Sequence, residues 1–289
     1  MIKTALVIVL LASALLPVFL TVAGPIATVE AATPTAFLGI SGFPTCTADI
    51  DSAISIMSAR GLNFYRMSFT PSWYSNQIAP FRLSYVQYFL DHSSKMVVVD
   101  PNHLHPANEA ASSSARSHWT TVRNNIFQIL KTFPNNNRVT IELINEYVSS
   151  DFYNRMQALV TEIRNAGYTN RIIVNKFAQA WNVINDPLSR TYQGYHYYFN
   201  TWSVSGAISN LKLALSKGIK LICTEIGADY REFTYFNSGT VSELNSFLSQ
   251  CANLGVGNAV WMNYHGSWSN NWPRYKALAI KFPTVYSPL

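Results

Sequence analysis

The chain has 289 residues, of which 48% are hydrophobic, 13% aromatic and only 12% charged, about half the ~25% charged share of an ordinary globular protein. The aromatic content and the lack of charge blocks exclude intrinsic disorder, and 13 Gly with three Cys exclude collagen-like and disulfide-scaffold chains. The net charge of +6 is spread over basic residues scattered singly, so no basic stripe marks a nucleic-acid partner.

Lys3 is the only charge before Glu30, and the 19 residues from Ala5 to Ala23 are uncharged. A positive start followed by an apolar run has the form of an export signal, with small residues at Ala23 and Ala31 for cleavage. The run is close to the ~20 residues of a membrane span, so an uncleaved anchor is the alternative. Residues 1–31 are read as this leader and residues 32–289 as one domain, secreted or extracellular, that meets a membrane only through an uncleaved leader.

Beyond Thr33, strand-like runs fall at Phe37–Ile40, Phe64–Phe69, Met96–Val99, Val139–Ile144, Arg171–Asn175, Gly194–Phe199, Lys220–Thr224 and Ala259–Asn263. Most are short and continuously apolar, the mark of strands buried on both faces of a parallel sheet. Between them, apolar residues recur at helical spacing: Ile50, Ile54, Met57; Val122, Ile126, Ile129, Leu130; Met156, Leu159, Val160, Ile163; Ile208, Leu211, Leu215. Gly61, Gly167, Gly218 and Gly255 stand where helices would close in a left-handed cap, and a last helix is expected at Pro273–Ile280. Eight strand–helix units in about 255 residues match the rhythm of a (β/α)8 TIM barrel. A doubly wound sheet competes poorly, because no Gly-rich turn follows the first strand.

Cys223, in a strand, and Cys251, in the next helix, are candidate neighbours. Three free thiols is the favoured reading and a Cys223–Cys251 bridge the alternative; no C-x-x-C spacing supports a zinc site.

Chemistry in such a barrel collects at the C-terminal ends of its strands. Those ends supply Arg66, His103 and His105, Asn145 and Glu146, His196 and Tyr198, Glu225, and Trp261. Polar residues ending buried strands at one rim are costly unless paired or used. Carboxylates on the fourth and seventh strands would face each other across the mouth, the arrangement of glycoside hydrolysis. Glu225 beside Arg66 and Tyr198 would be held ionised for attack on the anomeric carbon. Glu146 would protonate the leaving oxygen and then serve as base toward water, while Asn145 would bond the sugar 2-hydroxyl. Trp73, Trp181, Trp202, Trp268 and Trp272 follow the second, fifth, sixth and eighth strands, and flat indoles suit the apolar faces of pyranose rings. Trp119 is assigned to the core.

These segments resemble glycoside hydrolase family 5, the cellulase-type branch of its barrel clan. VTIELINEY is similar to that family's acid/base strand, KLICTEIGA to its nucleophile strand, GYHYYF to its His-x-Tyr strand and AVWMNY to its eighth. NFYRMSF carries the Arg and VVVDPNHLHP the third-strand His. The resemblance spans about residues 36–285 and implies Glu146 as acid/base and Glu225 as nucleophile. It also implies Arg66, His103, Asn145, His196, Tyr198 and Trp261 in binding and electrostatic roles. Tyr147 replaces the usual Pro, and His103 is favoured over His105.

The function expected is a monomeric retaining β-glycanase without cofactor or metal, cutting internal β-1,4 bonds of cellulose or a related β-glucan. An endo-β-mannanase is the runner-up. A metal-dependent barrel hydrolase built on His103, His105, His196 and His265, and a silent sugar-binding barrel, are weaker alternatives.

Overall fold

The computed structural model describes residues 38–73, 79–104, 108–175, 181–198, 203–227 and 238–263. The leader at 1–31 and the helix expected at Pro273–Ile280 lie outside the described residues.

Eight strands close into a barrel in chain order, every neighbouring pair parallel. They are β1 Leu38–Gly42, β2 Phe64–Ser68, β3 Met96–Asp100, β4 Val139–Glu142, β5 Arg171–Asn175, β6 Thr191–Tyr198, β7 Leu221–Gly227 and β8 Gly257–Asn263. Around them lie α1 Thr47–Arg60, α2 Leu83–His92, α3 Glu109–Ser117, α4 Trp119–Thr132, α5 Phe152–Asn165, α6 Val204–Ser216 and α7 Ser238–Asn253. The strands begin and end within a few residues of the runs read from the sequence. All four capping glycines take positive φ, from 66° at Gly61 to 84° at Gly167.

One expected unit differs. Residues 181–190, between β5 and β6, form no helix. Pro187 breaks the pattern, and the Asp186 carboxylate accepts bonds from the Leu188 and Arg190 backbone N–H groups and the Thr191 hydroxyl. Arg164 of α5 binds both oxygens of the same carboxylate at 2.9 Å, pinning the segment as a turn.

Alternation along each strand splits the core in two. Phe64, Val98, Ile173, Ile222 and Ala259 fill the barrel's N-terminal half, with Met96 and Tyr192 packed against them. The opposite faces meet the helices in the larger outer core. Gly39 is required by this plug, since a Cβ there would sit 2.3 Å from the Phe64 carbonyl oxygen. The plug gives the polar residues above it a dry floor.

Cys46, Cys223 and Cys251 are all free, the last two buried. Burial pushes the Cys223 thiol well above its ordinary range, as does Cys251 nearby. Among the described residues, no helix is long and apolar enough to cross a membrane.

Candidate functional site

β2 alternates Phe64, Arg66 and Ser68 inward, which sets Arg66 directly above the apolar plug with none of its surface exposed. A buried guanidinium must use its donors, and every nitrogen is engaged. Nε and Nη2 bond the two oxygens of Glu142 at 2.7 Å each. Nη2 also donates to Asp100 at 3.1 Å and to Asn145 Oδ1 at 2.9 Å. Nη1 donates to Ser41 at 3.1 Å and to Glu225 Oε1 at 2.7 Å.

Strict alternation would turn Glu225 outward, because Thr224 already faces the barrel and Cys223 the helices. A β-bulge corrects this. The register with β6 shifts so that His196 pairs with Glu225, and the register with β8 shifts between Cys223 and Ile226. An inserted residue re-aims a side chain in this way, and Thr224 and Glu225 both end up in the site. Tyr198 donates its hydroxyl to Glu225 Oε2 at 2.6 Å. Burial alone would push the Glu225 carboxyl up, but His196 and Arg66 beside it and the Tyr198 bond outweigh that and hold it at about 2. The Tyr198 phenol is raised well above its ordinary range by burial and by the Glu225 and Glu146 charges.

Beyond β4 the chain turns sharply, and Glu146 takes a positive φ of 42°. That left-handed geometry costs a non-glycine residue about 1–3 kcal/mol. It is held on both sides: the Asn145 amide donates to the Leu104 carbonyl at 3.2 Å, and Tyr147 is fully buried with its hydroxyl on Asp151 at 3.2 Å. The Tyr147 ring packs between Trp119 and Phe152, so the residue standing in place of the family's Pro anchors the turn by burial. Trp119 itself is only partly buried against the core. The Glu146 carboxyl meets His196 Nδ1 at 2.5 Å, and His196 Nδ1 lies 3.4 Å from Glu225 Oε2. Burial lowers the His196 pKa, yet the Glu225 and Glu146 charges raise it overall.

Arg66, Asn145, Glu146, His196, Tyr198 and Glu225 thus form one bonded network. His103 joins it through Asp100, 2.7 Å from its Nδ1, and stacks on Trp261 at 5.9 Å between centroids. Trp73, in the loop after β2, stacks on His118 at 5.1 Å and 5°. Trp181 is not brought to the site. Only 7% exposed, it stacks on Tyr195, whose side chain faces the outer core, so its indole faces are covered by packing and the expected sugar platform is corrected to a core residue. Trp202, Trp268, Trp272, His105 and His265 lie outside the described residues.

Reading strand ends alone missed Glu142 and Asn175. Glu142 is fully buried, and the signal was there: a charged residue at an inward position of an otherwise uncharged strand. Burial raises its carboxyl pKa, against the pull of Arg66.

Glu146, His196 and Glu225 place one ligand-type atom each within 4.8 Å of one another. The donor types would suit a cation, but the Arg66 guanidinium occupies one Glu225 oxygen and the Tyr198 hydroxyl the other. The set reads as two carboxyl groups bridged by an imidazole, close enough to act on the same glycosidic carbon and oxygen.

The family whose model matches the chain is Cellulase (glycosyl hydrolase family 5), over residues 29–267. Among solved structures, a GH5-4 broad specificity endoglucanase from an uncultured bacterium is similar at 16% identity and a TM-score of 0.62, covering 88% of this chain and 95% of that one. A cellulase is similar at 17% and 0.67, covering 88% and 89%. A β-mannanase from Thermomonospora fusca is similar at 15% and 0.63, covering 88% and 92%. At these identities the structural likeness speaks for the barrel. No curated protein sequence matches.

Proposed function

The chain belongs to the cellulase family, glycosyl hydrolase family 5, and from that premise we propose that it is a retaining endo-β-1,4-glucanase in which Glu225 is the nucleophile and Glu146 the acid/base. The observation that carries the assignment is the contrast between the two carboxyl groups. Glu225 is buried, accepts from Arg66 and Tyr198, and is held at about 2. Glu146 is more exposed, its side chain at 17% against 5% for Glu225, and meets only His196 among these groups.

In the first step a Glu225 oxygen attacks the anomeric carbon, the bond to the leaving oxygen breaks, and the Glu146 proton passes to that oxygen. The covalent ester removes the Glu225 charge. Glu146, now a carboxylate, takes a proton from water as the water oxygen attacks the same carbon and releases Glu225. Tyr198 returns its bond to the freed carboxylate, and Arg66 is in place throughout to balance the charge that appears and disappears on Glu225. In this reading Asn145, held by Arg66, bonds the sugar 2-hydroxyl.

Glucan is favoured by the name of the matching family. The test is reducing-sugar release by residues 32–289 from carboxymethyl cellulose, mixed-linkage β-glucan, mannan and xylan, with Glu225→Gln as control. Release from the glucans that vanishes in the control is expected. Release from mannan alone would move the specificity to a mannanase, and activity surviving in Glu225→Gln would overturn the mechanism.

A further inference from the structure

Asn175 closes β5 with its side chain inside the barrel, 1% exposed. Its Nδ2 lies 3.1 Å from Glu142 Oε1, 3.1 Å from Thr224 Oγ1 and 2.5 Å from His196 Nε2. The space for it is built into the neighbouring strand. Gly194 pairs with Asn175 across β5 and β6, and a Cβ on Gly194 would come within 2.9 Å of the Asn175 amide carbon and nitrogen.

Glu142 dictates which way the amide faces. Its Oε1 already accepts from Arg66, and a carboxylate oxygen there can take only a donor. Asn175 must therefore present nitrogen to that side, and the same nitrogen reaches His196. Asn175 Oδ1 is buried without a partner among the described residues, a cost accepted to keep this orientation. With an N–H aimed at Nε2, and the Thr224 hydroxyl 2.9 Å from the same atom, Nε2 serves as acceptor. Facing the Asn175 amide nitrogen, which can only donate, Nε2 stays unprotonated although Glu225 and Glu146 raise the ring's pKa, so the ring's one proton is on the other nitrogen. That nitrogen is Nδ1, which faces Glu146 Oε1.

We propose that Asn175 is a positioning residue for the catalytic acid: it fixes His196 as the Nδ1–H tautomer and so reserves the Glu146 proton for the substrate. The inference rests on the acid/base assignment of Glu146 made above. In the opposite tautomer the Nδ1 lone pair would face Glu146 and draw its carboxylic proton into a bond with the imidazole. In the fixed tautomer Nδ1–H holds Oε1, and the acid proton sits on Oε2, free for the leaving oxygen. After the ester forms, the same N–H supports the Glu146 carboxylate as base. The charged and titratable groups facing His196 are Glu146, Glu225 and Arg66, with Tyr198 on its own strand and Glu142 behind Asn175.

The test compares Asn175→Asp and Asn175→Ala with the unsubstituted enzyme on two substrates. One is a cello-oligosaccharide, whose leaving alcohol needs a proton; the other is a 2,4-dinitrophenyl β-cellobioside, whose leaving phenolate does not. The kcat/KM for the oligosaccharide is expected to fall on the order of 10–100-fold, a share of the ~10²–10⁴ supplied by general acid catalysis, with little change on the dinitrophenyl substrate. Equal losses on both substrates would overturn the proposal, as would no loss on either. Imidazole nitrogen-15 spectra of the unsubstituted protein provide a readout that needs no variant to fold, with the His196 signal identified by its loss in His196→Gln. Protonated Nδ1 is expected, and protonated Nε2 would overturn the proposal. An unsubstituted enzyme inactive on every β-glycoside would remove the premise instead, a failure visible before any Asn175 variant is made.

Discussion

Arg66 grips Glu142 by two bonds of 2.7 Å with neither side chain exposed, and this clamp leaves Nη1 pointing at Glu225. One guanidinium thereby faces three carboxyl groups, since Asp100 lies 3.1 Å away on the same face. Burial would drain the Arg66 charge, but Glu142, Glu225 and Asp100 raise its pKa well above the ordinary value. The planar fork is what allows one residue to serve all three, and lysine has no equivalent.

Arg66→Lys is therefore expected to lower kcat by about 10²–10³-fold, the cost of removing one preorganised donor. It should also change the pH profile. With Glu225 held at about 2, the unsubstituted enzyme is expected to show no acid limb from Glu225 above about pH 3. Weakening a neighbouring cation raises a carboxyl pKa, so an acid limb should emerge at higher pH in Arg66→Lys. A kcat/KM profile on an aryl β-glycoside that stays parallel to the original would refute this.

Glu225 also links stability to pH. Its folded-state value of about 2 lies below the ordinary 4.5, so the folded state keeps the carboxyl ionised where the unfolded chain protonates it. That contribution is complete above about pH 4.5 and is lost as the pH falls toward about 2. Urea unfolding at about pH 5 and about pH 3 should show a smaller acid loss in Glu225→Gln than in the unsubstituted chain. Parallel losses would mean that other carboxylates carry the acid sensitivity.

Much of this site was legible because a parallel barrel sorts its residues simply. Continuous apolar runs located the strands, and polar residues at their ends located the rim. Glu225 shows the limit: by alternation from Thr224 it should face the helices, and only the bulge between Cys223 and Ile226 turns it inward. Bulges are set by pairing to neighbours, so the local sequence does not announce them; the resemblance of KLICTEIGA to a nucleophile strand did. Asn175 was passed over although it ends its strand, because an Asn there has an ordinary structural reading until His196 and Glu142 are seen beside it. That residues 181–190 form no helix follows from Pro187 and the Asp186 turn, whose partner Arg164 lies 22 residues away.

The tryptophans separate into two groups that binding can tell apart. Trp73 is partly buried, stacked on His118 beyond the C-terminal end of β2, the end that carries Arg66 and Glu225. Trp73→Ala is expected to raise KM for a polymeric substrate several-fold, on the order of 1 kcal/mol, with kcat little changed. Trp181, packed on Tyr195, should behave oppositely: Trp181→Phe lowers stability and leaves KM unchanged. Initial rates over a range of polymer concentrations decide both, and a raised KM in Trp181→Phe would return that residue to the cleft.

The Arg164–Asp186 pair provides the last prediction, because it does the work of a helix. Its side chains are 4% and 3% exposed, 2.9 Å apart, and Asp186 gathers two backbone N–H groups and a hydroxyl besides. Burial opposes the Asp186 charge, but these bonds and Arg164 hold its carboxyl well below the ordinary range. Removing one member of such a pair leaves the other buried and uncompensated, at a cost of about 3–5 kcal/mol. Asp186→Ala should lose stability by that order while kcat/KM on a small aryl glycoside is retained, since the turn leads into the N-terminal end of β6 and the site lies at the other. The urea midpoint measures the first and initial rates the second. An unchanged midpoint would mean that Pro187 and the packing of Trp181 hold the segment without the ion pair.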